Sequence, residues 1–170
     1  MNLDDIPTGC FCVLDTNILL YAEQGVSLQA QRLLRRIEER DVVGVSPQPV
    51  WQETMHRLMV MEAVMLGHIR GSNPARQLVG KPEVIKNLTI YRDKIEALVT
   101  LGLGFEPCQE ADLMEEAFKI QNQFGLLTND SLIAAITLRI EADALVSADT
   151  RFRAVKEINL YAPTDVTFPS

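Results

Sequence analysis

Four acidic side chains stand where a carboxylate could do chemistry. Asp15 interrupts the apolar run 13–20, and Asp149 closely follows another apolar run at 144–146. Glu53 and Asp130 lie near the starts of two predicted helices. If these groups share one crevice, each pair at ~5 Å repels by about 3 kcal/mol at an effective dielectric near 20. Such a cluster requires either protonation or divalent cations. Taken singly, Asp130 and Asp149 could equally be helix caps.

The types of residue nearby narrow the choice of cation. The four candidate ligands include no histidine and no cysteine, which disfavours zinc. Carboxylate and water oxygens are the ligands that Mg²⁺ and Mn²⁺ prefer. An oxygen-only acidic site is typical of phosphate chemistry, in which metal ions assist an in-line displacement.

The acids can meet only if the fold brings them together. Short apolar runs predict strands, and apolar residues at helical spacing between them predict helices, which together indicate an α/β fold with a parallel sheet. The predicted strands cover 10–14, 42–45, 101–105 and 144–146, with a short fifth at 159–161. Ligands of such sheets bind beyond the carboxyl ends of the strands. Topology therefore places Asp15, Glu53 and Asp149 at one edge, whereas Asp130 follows a helix rather than a strand.

Turn-forming residues set the expected boundaries. Ser46-Pro47 predicts an N-cap followed by proline at the first helical position. Glycines and prolines in 67–83 predict a loop or a broken helix, and 162–170 is expected to be a tail. The whole chain, 1–170, is expected to form a single domain.

Composition excludes several classes of protein. The chain has 170 residues and a net charge of −7, with 47% hydrophobic residues, which suits one globular domain. No apolar run approaches the length needed to span a membrane. The three cysteines lack the spacing of a disulfide framework, which indicates a reducing, cytoplasmic setting. The negative charge disfavours nucleic-acid binding by the surface as a whole, although a metal-neutralised site could still hold phosphates.

Three motifs resemble those of PIN-domain ribonucleases, especially the VapC toxin-like branch. The segment 13–22 (VLDTNILLYA) resembles the opening motif of that family, and 129–135 (NDSLIAA) resembles its third acidic motif. The segment 147–152 (SADTRF) resembles its fourth motif. Glu53 is the acid expected in the helix after the second strand. The motifs occur in family order across 13–152.

The resemblance implies a five-stranded parallel sheet flanked by helices and Mg²⁺- or Mn²⁺-dependent cleavage of RNA. By motif position it implies that the metal ligands are Asp15, Glu53, Asp130 and Asp149. Asn17 would order the site around Asp15, and Ser147 would lie near a water or the phosphate. Water would attack phosphorus and leave 5′-phosphate and 3′-hydroxyl ends.

Basic residues could hold the RNA backbone. Between 67 and 94 the chain has six basic residues against two acidic ones, and Arg70 and Arg76 among them could guide RNA. A solvated helix face explains the same charges. Arg151 and Arg153 stand next to Asp149 and are better placed to hold a phosphate.

The sequence is compatible with three functions. The first is a metal-dependent endoribonuclease that is the toxin of a toxin–antitoxin pair, with an antitoxin protein as partner. The second is a PIN-like module that binds RNA or protein without turnover. The third is another α/β phosphohydrolase, disfavoured because Asn17 stands where an aspartyl-nucleophile enzyme needs a second Asp. Apolar-rich helices around Trp51 and Met59 favour a homodimer.

Overall fold

A computed structural model of the protein describes residues 1–166, in which strands and helices alternate along the chain. The strands are β1 (Phe11–Leu14), β2 (Val43–Pro47), β3 (Gly104–Glu106), β4 (Ala144–Val146) and β5 (Leu160–Tyr161). The helices are α1 (Thr16–Glu23), α2 (Leu28–Glu38), α3 (Gln48–Met65), α4 (Pro74–Val79), α5 (Pro82–Asn87), α6 (Ile90–Thr100), α7 (Asp112–Phe124) and α8 (Thr128–Arg139). Short 3-10 helices cover Leu3–Asp5 and Thr150–Ala154.

Within residues 1–166 the strands form one five-stranded sheet in the order β3-β2-β1-β4-β5, with every neighbouring pair parallel. The chain builds outward from β1 through β2 to β3, and then crosses to β4 on the other side of β1. The strand order therefore reverses between β1 and β4. In open α/β sheets the ligand crevice lies at such a reversal, beyond the carboxyl ends of the strands. The predicted parallel α/β fold is confirmed.

The central strands are the most deeply buried part of the sheet. Cys12, Val13 and Leu14 of β1 are fully buried, as are Leu145 and Val146 of β4. Burial on both faces explains why these strands are continuous apolar runs rather than alternating patterns. An ionisable residue at the end of either strand is consequently held against a dry core.

Two predicted boundaries were wrong. The third strand begins at Gly104 rather than at residue 101, because α6 continues to Thr100 and the chain then turns through Gly102 at φ +100°. Ser46 is not an N-cap but the fourth residue of β2, where its hydroxyl donates to the Leu14 carbonyl at 3.0 Å. Pro47 takes the cap position of α3 instead.

The segment 67–83 contains α4 and the start of α5, and it packs on the second half of α3. Ala63, Ile69, Leu78 and Leu88 form a small buried cluster there, separate from the main core. Glu62, only 4% exposed, accepts backbone N–H hydrogen bonds from Thr89, Ile90 and Tyr91 at 2.9, 3.1 and 2.8 Å. A carboxylate at these unpaired N–H groups stabilises the start of α6 and ties it to α3.

The two ends of the described chain meet beside β5. Asn2 forms a parallel bridge with Ala162, and Asp165 accepts hydrogen bonds from the Ser27 hydroxyl and the Gln29 N–H at 2.6 and 2.9 Å. Part of the predicted tail, 167–170, lies outside the described residues. Within 1–166 no helix combines the length and the apolarity needed to cross a membrane.

Candidate active site

A cleft of about 330 Å³ opens at the carboxyl edge of the sheet, where the strand order reverses, and all four predicted acids line it. Asp15 follows β1, and Asp149 follows β4 after Ser147 and Ala148. Glu53 stands in the second turn of α3, the helix after β2. Asp130, whose position the sequence left open, stands in the first turn of α8 and faces the same cleft.

Asp15 is the most buried of the four acids, with 8% of its surface exposed. It is the N-cap of α1, and its Oδ1 accepts the Thr16 N–H at 2.7 Å. Its Oδ2 accepts hydrogen bonds from the Ser147 hydroxyl, at 2.6 Å, and from the Asn17 side-chain amide. These donors compensate part of the cost of burying a charge.

Asn17 and Ser147 link the turn after β1 to the turn after β4. The Asn17 amide also donates to Ser147 Oγ at 3.1 Å, and its Oδ1 accepts the Ala148 N–H at 2.9 Å. Ser147 Oγ accepts a further hydrogen bond from the Asp149 N–H at 3.0 Å. The Ser147 hydroxyl donates its hydrogen to Asp15. In this structure the side chain of Ser147 therefore orients the acids and does not point into the cleft.

Arg151 lies across two of the acids. Its Nε donates to Asp149 at 2.8 Å, its Nη2 also contacts Asp149, and the same Nη2 lies 2.9 Å from Asp130 Oδ2. Asp130 Oδ2 is nevertheless buried and accepts no hydrogen bond of acceptable geometry. The contact is therefore mainly electrostatic, and a positively charged group stands where two carboxylates converge.

Burial and charge shift the pKa values of three acids in different directions. Burial raises the pKa of Asp15, against the hydrogen bonds from Ser147 and Thr16, and the neighbouring charge of Asp130 raises it further. Burial likewise raises the pKa of Asp130, which Arg151 opposes. The hydrogen bond from Arg151 lowers the pKa of Asp149. The cleft thus favours a cation that can neutralise Asp15 and Asp130.

The donor set fits a hard divalent cation. All four candidate ligands are carboxylates, and the buried Asp130 oxygen lacks a hydrogen-bond donor while a guanidinium lies beside it. Within 1–166 no three acidic, histidine or cysteine side chains are close enough to hold one ion between them. Mg²⁺ is commonly held by one or two carboxylates, with water completing its coordination. The arrangement suits that mode better than an all-protein cage.

The other predicted arginines lie elsewhere. Among the described residues, Arg70, Arg76 and Arg153 do not line the cleft, whereas Arg151 contacts its acids. The sequence reading missed Arg57, which lies one turn after Glu53 on α3 with its Nη1 3.6 Å from Glu53 Oε1. Helical i,i+4 spacing from Glu53 was the signal that could have found it.

Comparison with known proteins agrees with the fold. The family model described as PIN domain matches residues 12–158. No curated protein matches the chain in sequence. One similar chain comes from the crystal structure of VapBC2 from Rickettsia felis bound to a DNA fragment of the VapBC2 promoter. It is 16% identical to this chain and superposes with a TM-score of 0.58. The match covers 89% of this chain and 97% of the Rickettsia chain. A chain of a toxin–antitoxin complex from Klebsiella pneumoniae is 15% identical to this chain and superposes with a TM-score of 0.55. The match covers 87% of this chain and 95% of the Klebsiella chain.

Proposed function

The chain belongs to the PIN-domain family, and from that membership we propose that it is a metal-dependent endoribonuclease. PIN domains are generally nucleases, which are hydrolases. The observation that supports the proposal most directly is the convergence of Asp15, Glu53, Asp130 and Asp149 on one cleft at the reversal of strand order. These acids come from four different parts of the chain, so their meeting is a property of the tertiary structure.

Asp15, Glu53, Asp130 and Asp149 are the residues that would hold Mg²⁺ or Mn²⁺. Bound divalent ions would supply an activated water and stabilise the leaving oxygen of the RNA strand. Asn17 and Ser147 act as positioning residues, because their hydrogen bonds hold Asp15 and the turn that leads to Asp149.

Arg151 has a second role in the proposed reaction. Asp130 and Asp149 would hold a divalent cation, and the half-exposed guanidinium of Arg151 would then be free to bind a phosphate oxygen of the RNA. It would orient the scissile phosphate and offset its charge. Hydrolysis would leave a 5′-phosphate and a 3′-hydroxyl, and none of these residues needs to form a covalent intermediate.

A toxin of a toxin–antitoxin pair is the biological role that we propose, acting in the cytoplasm. The two structural neighbours support it, since both come from toxin–antitoxin complexes and share the fold. The expected partner is then an antitoxin protein. A homodimer also belongs to the proposal, although Trp51 does not support it, because the indole is 5% exposed and donates to the Gly104 carbonyl at 3.3 Å. Exposed Met114 and Phe118 on α7 support it instead.

Calorimetric titration with Mn²⁺ and an RNA cleavage assay in the same buffer test the proposal. Wild type should bind Mn²⁺ and cleave RNA only when metal is present, while Asp15→Asn and Asp130→Asn should lose cleavage and weaken Mn²⁺ binding. If either variant cleaves as fast as wild type in a clean preparation, the acids do not have these roles. Growth arrest on expression that is relieved by a co-encoded small protein would support the toxin role.

A PIN-like module that binds partners without turnover is the second candidate. It is favoured by the ion pairs of Arg151 with Asp130 and Asp149, which neutralise the site without metal. Mn²⁺ binding without any RNA cleavage would support this candidate. Metal-dependent cleavage would exclude it.

A further inference from the structure

The cleft extends beyond the acids into a groove between α1 and α3. On α1 its lining continues from Asn17 through Leu20 and Tyr21 to Gln24. On α3 it continues from Glu53 to Arg57. Residues three or four positions apart share one face of a helix, so each helix presents a continuous row to the groove. The row on α1 spans about 10 Å from Asn17 to Gln24, at 1.5 Å per residue.

At the far end of the groove the side chains of the two helices contact each other. Gln24 Nε2 donates to the sulfur of Met61 at 3.2 Å, and Met61 lies one turn beyond Arg57 on α3. The contact links the two helices at the end of the groove that lies away from the acids.

The lining differs in character from the acidic end. Arg57 is 57% exposed, and its 3.6 Å separation from Glu53 is longer than a normal hydrogen bond. A guanidinium in this state can turn to a phosphate without breaking a tight ion pair. Tyr21 is half-buried, Leu20 is buried beside it, and Gln24 carries an amide. An aromatic ring, a guanidinium and an amide are the groups that recognise an unstacked nucleotide in single-stranded RNA.

We infer that the groove between α1 and α3 is a subsite for the nucleotide next to the scissile phosphate. Arg57 binds the phosphate beyond the cleaved bond, Tyr21 stacks on the base, and Gln24 contacts the base edge. The inference rests on the proposed ribonuclease function and adds to it a site that selects which RNA position is cut. A protein segment could also enter the groove, but the aromatic, cationic and amide lining favours a nucleotide.

Steady-state kinetics on a labelled single-stranded RNA of mixed sequence, in Mn²⁺, test the subsite. Arg57→Gln and Tyr21→Leu should each raise KM about tenfold and change kcat by less than about threefold. Arg57→Lys and Tyr21→Phe should recover most of that loss, because they retain the charge and the ring. Arg35→Gln is the matched control, since it removes an exposed arginine from α2, outside the groove lining. Mapping of product ends should show an altered cutting preference for Tyr21→Leu and not for the control.

The outcomes separate the subsite from the proposed function. If wild type does not cleave RNA, the ribonuclease proposal fails and the subsite fails with it. If wild type cleaves but the kinetics of the groove variants match Arg35→Gln, the subsite alone is overturned. If RNA kinetics stay unchanged while Arg57→Gln loses a co-purifying protein partner, the groove belongs to that protein and not to RNA.

Discussion

Replacing Ser147 with alanine tests how the fold holds the deepest acid of the site. The Ser147 hydroxyl is fully buried and makes three contacts, with Asp15 Oδ2 at 2.6 Å, the Asn17 amide at 3.1 Å and the Asp149 N–H at 3.0 Å. Alanine removes all three and leaves almost no cavity. The change therefore isolates hydrogen bonding from packing.

The size of the effect follows from these contacts. A hydrogen bond to a charged acceptor contributes ~1.5–3 kcal/mol, and a buried N–H left without a partner costs ~1–3 kcal/mol. Allowing for relaxation around Asp15 and Asp149, we expect Ser147→Ala to lower the free energy of unfolding by about 3 kcal/mol. For a chain of this size that corresponds to a melting temperature lower by roughly 6–12 °C.

Metal affinity should change as well. The hydrogen bond from Ser147 opposes the raised pKa of Asp15, so its loss should raise that pKa further and shift Mn²⁺ binding to higher pH. Loss of such an outer contact typically lowers metal affinity ~10- to 100-fold. Urea unfolding in EDTA measures the stability, and calorimetry at several pH values measures Mn²⁺ binding.

Ser46→Ala is the matched control for this experiment. Ser46 is equally buried on β2, and its hydroxyl makes a single hydrogen bond to the Leu14 carbonyl. The control should lose about 1 kcal/mol of stability and keep wild-type Mn²⁺ affinity. Equal stability losses in the two variants, together with unchanged Mn²⁺ binding by Ser147→Ala, would refute the role of Ser147 in positioning Asp15.

Three further predictions follow from the site and from the helices around it. Glu62→Ala should lower the free energy of unfolding by about 3 kcal/mol, because three N–H groups at the start of α6 lose their acceptor. Hydrogen exchange should accelerate in α6 but not in β1, and Glu62→Gln should lose less stability than Glu62→Ala. Burial raises the pKa of Asp15, so in the absence of metal the folded protein holds the Asp15 proton more tightly than the unfolded chain does. The stability that this adds is fully present below the ordinary pKa of the group, and it is lost as the pH rises through the raised pKa. The melting temperature of wild type minus that of Asp15→Asn, measured in EDTA, should therefore fall as the pH rises above the ordinary pKa of an aspartate, about 4. A difference that does not change with pH would contradict this. Arg151→Gln should bind Mn²⁺ more tightly than wild type, because no guanidinium must leave Asp130 before the ion binds. Arg153→Gln, two residues along the chain, is the control and should bind Mn²⁺ as wild type does. Calorimetry measures the Mn²⁺ affinity of both variants.

Most of the secondary structure was predictable because it depends on short-range patterns. Buried parallel strands appear in the sequence as continuous apolar runs, and amphipathic helices appear as apolar residues at helical spacing. The predictions failed where two local preferences competed. Ser46 has the side chain of an N-cap, yet its place in β2 directs the hydroxyl to the Leu14 carbonyl.

The placement of the site was only partly predictable. Asp15 and Asp149 end adjacent parallel strands, so strand topology alone brings them to one edge. Asp130 reaches the cleft only because α8 folds back on α7 after Gly125, a contact between helices that no local pattern specifies. Glu62 was not singled out, because its partners on α6 are more than 25 residues away in the sequence.

The sequence by itself predicted the kind of chemistry, since four carboxylates supply only oxygen ligands, and these favour a hard cation. It also determined which strands are buried, since apolar runs must leave water wherever they pack. Only the tertiary structure decided which charges face one another. Arg151 lies against Asp130 and Asp149, and Arg57 lines the groove beside Glu53. Electrostatic interactions depend on distance and burial in space, and these are set by how the helices pack on the sheet.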